Sequence, residues 1–175
     1  MEEVLIRAKN IKLVIFDVDG VLTDGSLFYG DDGQEYKAFN SRDGHGMKML
    51  QQSGVQIGII TGRTSDVVLH RMKNLNVQHI YQGRLEKLPA FEELIGKLGL
   101  QPEQVAYVGD DVVDLPIMIR AGLAITVPGA HDLAKQHAHW ITSKAAGAGA
   151  GRDVCEMIMK AQGTYDVAMA KYLVM

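Results

Sequence analysis

The residues Leu13-Val14-Ile15-Phe16 run apolar without a break and then stop at Asp17-Val18-Asp19-Gly20. A strand that alternates apolar and polar residues shows one face to water, whereas a strand apolar throughout has to be covered on both faces. In a chain of 175 residues that cover comes from helices on either side of a parallel sheet. Ligands of such sheets bind beyond the carboxyl ends of the strands, which is where Asp17 and Asp19 fall. Carboxylates are disfavoured in strands and costly to strip of water. Two of them, spaced i, i+2 at a buried strand end, point to metal binding or acid–base chemistry.

The rest of the chain repeats this alternation. Apolar runs at 12–16, 56–60, 79–81, 105–108, 123–126 and, weakly, 140–142 are separated by helical patterns over 44–53, 65–75, 87–98, 112–121, 132–137 and 152–162. The expected fold is α/β, a Rossmann-like parallel sheet with helices on both faces, in one domain over 1–175. Segment 26–39 breaks the rhythm, because two aromatic-bearing arms flank Gly30-Asp31-Asp32-Gly33 as in a β-hairpin. With Leu27, Phe28, Tyr29, Tyr36 and Phe39 it carries more apolar surface than a solvated hairpin needs. Another subunit and its own domain are equally good candidates to cover it. The glycine-rich patch 145–151 reads as a hinge or, more weakly, a phosphate loop. The tail 164–175 reads as a frayed end or an arm that docks on a neighbour.

Composition excludes more than it selects. A net charge of −3 gives no general attraction to nucleic acid or anionic membranes. The lone Cys155 rules out a disulfide within the chain and fits a reducing compartment. No apolar run approaches the ~18–20 residues that span a bilayer, and the acidic start Met1-Glu2-Glu3 is unlike a signal peptide. A cytoplasmic location is expected.

Other strand ends also carry polar groups. Thr61-Gly62-Arg63 follows 56–60, Lys87 opens the helix after 79–81, and Gly109-Asp110-Asp111 with Asp114 follows 105–108. A parallel sheet puts these ends on one edge. Clustered carboxylates repel and need a cation, and an oxygen-only donor set suits Mg²⁺. A hydroxyl and an ammonium beside them suit a phosphoryl group, whose transfer rests on positioning and charge neutralisation. One carboxylate can attack phosphorus, and a second can protonate the leaving oxygen and then deprotonate water.

Asp17-Val18-Asp19-Gly20-Val21, Thr61-Gly62-Arg63, Lys87 and Gly109-Asp110-Asp111-x-x-Asp114, in this order, resemble the four motifs of the haloacid dehalogenase (HAD) superfamily. The stretch Asp17-Val18-Asp19-Gly20-Val21-Leu22-Thr23-Asp24-Gly25, with Phe39-Asn40-Ser41-Arg42-Asp43-Gly44, narrows the resemblance to the 3-deoxy-D-manno-octulosonate 8-phosphate phosphatase family. The resemblance implies a HAD-like fold with a small hairpin in place of a cap domain, a phosphorylated sugar acid as substrate, and a role in lipopolysaccharide precursor synthesis. It implies Asp17 as nucleophile and Mg²⁺ ligand, Asp19 as general acid/base and main-chain ligand, and Asp110 as the third ligand. Thr61, Gly62 and Lys87 would hold phosphoryl oxygens, while Asp111 and Asp114 would orient Lys87 and metal-bound water. Asn40, Ser41, Arg42, Asp43, Gly44, Lys48, Arg63 and Arg71 would meet the sugar acid. A homotetramer joined through its hairpins is implied as well.

Two departures stand out. Lys48 replaces the family's usual arginine and loses its bidentate fork, and Ala148 stands where an arginine is often found. Both bear on substrate preference more than on phosphoryl transfer, and within the same class the rival substrates are 9-phosphates of nonulosonic acids such as sialic acid or its deaminated analogue. A phosphoryl-accepting receiver domain uses similar groups, but it places its acidic pair and its phosphorylated aspartate on different strands.

Overall fold

The structure is a computed structural model and describes residues 1–173. Helix α1 (Glu2–Lys9) has acidic residues in its first turn and basic ones in its last, the favourable sense of the helix dipole. Strand β1 (Leu13–Phe16) follows, and then the two short strands of a hairpin, β2 (Phe28–Tyr29) and β3 (Glu35–Tyr36). Helix α2 (Ser41–Gln52) is capped by Asn40, whose side chain accepts from the Arg42 amide. Next come β4 (Gln56–Ile60), α3 (Asp66–Asn74), β5 (His79–Tyr81) and α4 (Leu88–Leu98). Strand β6 (Val105–Val108) leads through a 3₁₀ turn at Val112–Asp114 into the short α5 (Leu115–Met118). The chain finishes with β7 (Leu123–Thr126), α6 (Asp132–His137), β8 (Trp140–Ile141), α7 (Ala150–Ala161) and α8 (Tyr165–Leu173).

The main sheet has the order β5-β4-β1-β6-β7-β8, and every pair in it is parallel. β1 is central, as its unbroken apolar run requires. Val14 and Phe16 enter one core with residues of α1, α2, α3 and α7, while Leu13 and Ile15 enter a second core with residues of α4, α5 and α6. The period-two alternation of a strand thus divides one apolar run between two helical layers. α8 returns along α2, where Tyr172 meets His45 at 3.0 Å and Lys171 donates to Gln52 at 3.0 Å. Residues 174 and 175 of the expected tail lie outside the described residues.

Register fixes where the loops leave the sheet. Phe16 lies opposite Ile59 of β4 and Val108 of β6, so Asp17 comes level with Ile60 and Gly109. The Asp17 amide still donates to the Val108 carbonyl at 2.9 Å, and the Thr61 amide to Tyr81 at 2.9 Å. Asp17, Thr61 and Asp110 therefore emerge side by side from rigid strands.

Candidate active site

A cavity of about 240 Å³ opens at this edge. Asp17, Asp19, Thr61, Gly62, Arg63, Lys87, Asp110 and Asp111 all line it, together with Leu85 and Val113. The predicted convergence of strand ends is therefore present in the folded chain.

Lys87 sits at the N-terminal boundary of α4 and is 2% exposed. Its Nζ donates to Asp17 Oδ2 and to Asp114 Oδ1, both at 2.6 Å. Burial opposes its charge, but Asp17 and Asp114 more than offset that and raise its pKa. Asp114 is saturated: its Oδ1 also accepts from the Tyr107 hydroxyl at 2.5 Å, and its Oδ2 from the amides of Asp110 at 2.9 Å and Asp111 at 3.1 Å. Its task is to hold Lys87 and the turn after β6. Asp111 caps the Val112 amide at 2.7 Å and makes no bond to Lys87. The expected role in orienting Lys87 thus falls geometrically to Asp114, with Tyr107 beneath it.

Asp17 has one oxygen on its neighbour's amide, Val18 N to Oδ1 at 2.7 Å, and the other on Lys87. Burial pushes its carboxyl up to about 6 against the pull of Lys87. Asp110 is pushed up to about 7 by burial and then by the charges of Asp17 and Asp114. Asp17, Asp110 and Asp114 can bring one oxygen each within 4.8 Å of one another. With Asp114 committed to its donors, Asp17 and Asp110 remain to face a cation. Once deprotonated, these two clustered carboxylates form a hard oxygen donor pair that suits a divalent metal such as Mg²⁺.

Two glycines make the cluster possible. Gly20 has φ +87°, and a Cβ there would sit 2.1 Å from Asp110 Oδ2. A Cβ on Gly109 would lie 2.4 Å from Asp114 Cγ. Gly20 is thus the clearance through which the loop after β1 approaches the loop after β6, and Gly109 lets Asp114 fold back against its own turn.

Asp19 has a different environment. Its Oδ1 pairs with Lys37, its Oδ2 is buried without a hydrogen-bond partner, and the Arg63 Nε lies 3.9 Å from that oxygen. Lys37 comes from the residue after β3 and also reaches Glu35 at 3.4 Å. Arg63 is held by Glu35 at 3.1 Å and by the Tyr29 hydroxyl. The hairpin therefore supplies the polar surroundings of Asp19. Sequence reasoning missed Lys37, Glu35 and Tyr29, and only the hairpin's position over the strand ends brings them in.

Residues 34–122 match the family described as haloacid dehalogenase-like hydrolase. Over 166 residues the chain is 46% identical to the 3-deoxy-D-manno-octulosonate 8-phosphate phosphatase KdsC of Escherichia coli K12, covering 95% of this chain and 88% of that one. The chain belongs to this phosphatase family. Among solved structures, a probable yrbI family phosphatase from Pseudomonas syringae pv. phaseolica superimposes with a TM-score of 0.98 at 47% identity, covering 100% of this chain and 99% of that one. The Moraxella catarrhalis family enzyme, in complex with a magnesium ion, a phosphate ion and a KDO molecule, gives a TM-score of 0.97 at 44% identity, with 98% and 99% of the two chains covered.

In this family member the residues first associated with the sugar acid divide into two groups. Arg63 stands at the cavity, whereas Asn40, Asp43, Gly44 and Arg71 border a separate small recess against Leu22 and Met47. Asn40 caps α2 and also donates to the Gly147 carbonyl at 3.2 Å. Asp43 accepts from the Arg152 amide at 2.8 Å in the first turn of α7, and burial raises its pKa. These two side chains stitch α2 to the glycine-rich loop and α7. Arg71 donates to the Asn40 carbonyl at 3.2 Å and lies over the Phe39 ring. Ser41, Arg42 and Lys48 are exposed on α2 and do not line the cavity. Cys155 is fully buried, and its thiol is pushed up by that burial, as its apolar surroundings in the sequence suggest. No helix among the described residues is long and apolar enough to cross a membrane.

Proposed function

We propose that the chain is a Mg²⁺-dependent phosphatase that hydrolyses 3-deoxy-D-manno-octulosonate 8-phosphate through an aspartyl-phosphate, a step in the supply of lipopolysaccharide precursor. The observation that carries this reading is the division of labour between two carboxylates on one loop. Asp17 is fixed by Lys87 at the cavity floor, and Asp19 is held apart from it with one buried oxygen unpartnered.

Asp17, Asp110 and the main-chain carbonyl of Asp19 would hold the cation, which when bound neutralises charge on the phosphoryl oxygens. Thr61 and Lys87 hold the transferring group, with Gly62 beside them. An Asp17 oxygen attacks phosphorus while the P–O bond to the sugar breaks. The Asp19 carboxyl gives its proton to the departing oxygen, and the free sugar acid leaves. The Asp19 carboxylate then takes a proton from water as that water attacks the phosphorus of the aspartyl-phosphate. Asp17 is regenerated and inorganic phosphate departs.

We further propose that the working form is a cytoplasmic homotetramer joined through the hairpins. Leu27, Phe28, Tyr29 and Tyr36 are 47%, 54%, 56% and 54% exposed, an apolar surface that favours a second copy. A cavity of about 240 Å³ is also small for a whole sugar-acid phosphate, since ligand pockets commonly span ~300–1,000 Å³. Much of the substrate would then lie against a neighbouring chain, where Arg42, Lys48 or the tail can reach it.

The test is phosphate release from 3-deoxy-D-manno-octulosonate 8-phosphate with Mg²⁺, run beside Asp17→Asn. Turnover that vanishes in the variant supports the reading. Retained turnover sinks the nucleophile assignment, and no release by the wild-type protein sinks the substrate.

A further inference from the structure

The ammonium of Lys37 belongs to none of the four motifs, yet its side chain is only 1% exposed although it follows a solvent-facing hairpin strand. It ends between the carboxylates of Asp19 and Glu35. A lysine rarely gives up its water this completely unless it is paired. The pairing is asymmetric at Asp19, because Oδ1 carries the lysine and Oδ2 is buried without a donor. Only one oxygen of that carboxylate is therefore left for a proton, and the lysine sets which one.

Resting on the phosphatase reading above, we infer that Lys37 is a positioning residue that clamps Asp19 and stabilises the charge it develops while protonating the leaving oxygen. The bond from an Asp17 oxygen to phosphorus forms as the P–O bond to the sugar breaks, and the proton passes from Asp19 Oδ2 to the departing oxygen. Negative charge appears on the Asp19 carboxylate in that step, directly beside the Lys37 ammonium. A fixed cation placed where charge develops lowers a barrier without reorganising water. Glu35 keeps the lysine from drifting, and the Arg63 Nε stands at the far side of the same carboxylate. The hairpin is thereby part of the proton-transfer apparatus as well as a surface.

The chemistry supplies a test that a merely structural lysine would not pass. An alkyl ester such as 3-deoxy-D-manno-octulosonate 8-phosphate needs its leaving oxygen protonated. p-Nitrophenyl phosphate releases a stable anion and needs little help. kcat/KM reports the steps through departure of the leaving group. In Mg²⁺-loaded Lys37→Met, kcat/KM for the sugar phosphate should fall about 100-fold, toward the loss of general acid catalysis. For p-nitrophenyl phosphate it should fall less than about 3-fold, and Lys37→Arg should return the sugar phosphate to within about 5-fold of wild type. Circular dichroism and thermal unfolding verify that the variants fold, and Lys37→Gln repeats the comparison if the Met variant does not. An equal loss on both esters, no loss on the sugar phosphate, or an Arg variant as impaired as Met overturns the inference. If the wild-type protein hydrolyses p-nitrophenyl phosphate and another alkyl phosphate but not the octulosonate, the substrate reading alone fails. The ratio is then taken on that alkyl phosphate.

Discussion

Asp17 and Asp19 stand two residues apart on one loop, and each meets its own lysine, but the two pairs are built differently. Lys87 is 2% exposed and reaches Asp17 from a helix packed on the sheet, with Asp114 and Tyr107 completing a closed network. Lys37 reaches Asp19 from just after a two-residue strand, and the neighbouring Glu35 and Arg63 lie at a rim where Arg63 is 41% exposed. The inner pair is welded into the core, and removing Lys87 leaves the buried carboxylates of Asp17 and Asp114 without their cation. The two lysine side chains are equally buried, and the difference lies at the carboxylates, where Asp19 is 18% exposed against 9% for Asp17. In the proposed mechanism the nucleophile has to be immobile, whereas the proton carrier needs a defined orientation beside a path for water and leaving group.

The contrast yields graded expectations. Asp17→Asn should lower kcat at least about 10³-fold in a phosphate-release assay, with thermal stability largely kept, because the amide can still meet Lys87. Asp19→Asn should lower kcat/KM on the sugar phosphate about 10²–10⁴-fold and move Tm by no more than about 2 °C. A larger fall in Tm would show that the rim pair is structural after all. Lys87→Met should do the reverse in kind. Stranding two buried carboxylates costs about 3–5 kcal/mol, read as a Tm lower by roughly 10 °C. Tyr107→Phe removes one donor to Asp114 and should lower Tm by about 3–6 °C while kcat stays within about 3-fold.

The smallest effect is on pH dependence. Asp17 and Asp110 bind protons more tightly in the folded chain than at their ordinary value of 3.8, with pKa values of about 6 and about 7. The folded state therefore holds more protons than the unfolded one between these limits, and stability is lost as pH rises from about 4 through about 7. In EDTA the Tm should fall by roughly 3 °C or more from pH 5 to pH 8. Mg²⁺ bound at Asp17 and Asp110 would take the place of those protons and should flatten that slope. A Tm that rises over this range in EDTA would contradict the burial argument.

The sheet could be read from the sequence because its strands are apolar on both faces. Each of its six strands starts and stops within a residue or so of the expected place. Helix α2 begins at Ser41 rather than 44 because Asn40 caps it, and Gly44 and Gly46 obscured its first turn. The expected helix 112–121 is a 3₁₀ turn and a short helix, since Asp111 and Asp114 close a capping box and Pro116 follows. Helix α1 went unpredicted, although Glu2, Glu3, Arg7 and Lys9 mark its two ends. At the site, Asp17, Asp19, Thr61, Lys87 and Asp110 were readable because each lies just past a strand end or opens a helix. Lys37 was not, since nothing local says that a lysine after a short hairpin strand folds back over β1. Asn40 and Asp43 were read for a ligand, and within this chain they serve the junction of α2 and α7.

The hairpin pairs only Phe28 with Tyr36 and Tyr29 with Glu35. A ladder this short is marginal in water by itself, and its apolar side chains face outward. Whatever covers them also fixes how long Lys37 stays on Asp19. If copies of this chain cover one another's hairpins, as proposed, enzyme concentration enters the rate law, and specific activity should decline on dilution even while every molecule remains folded.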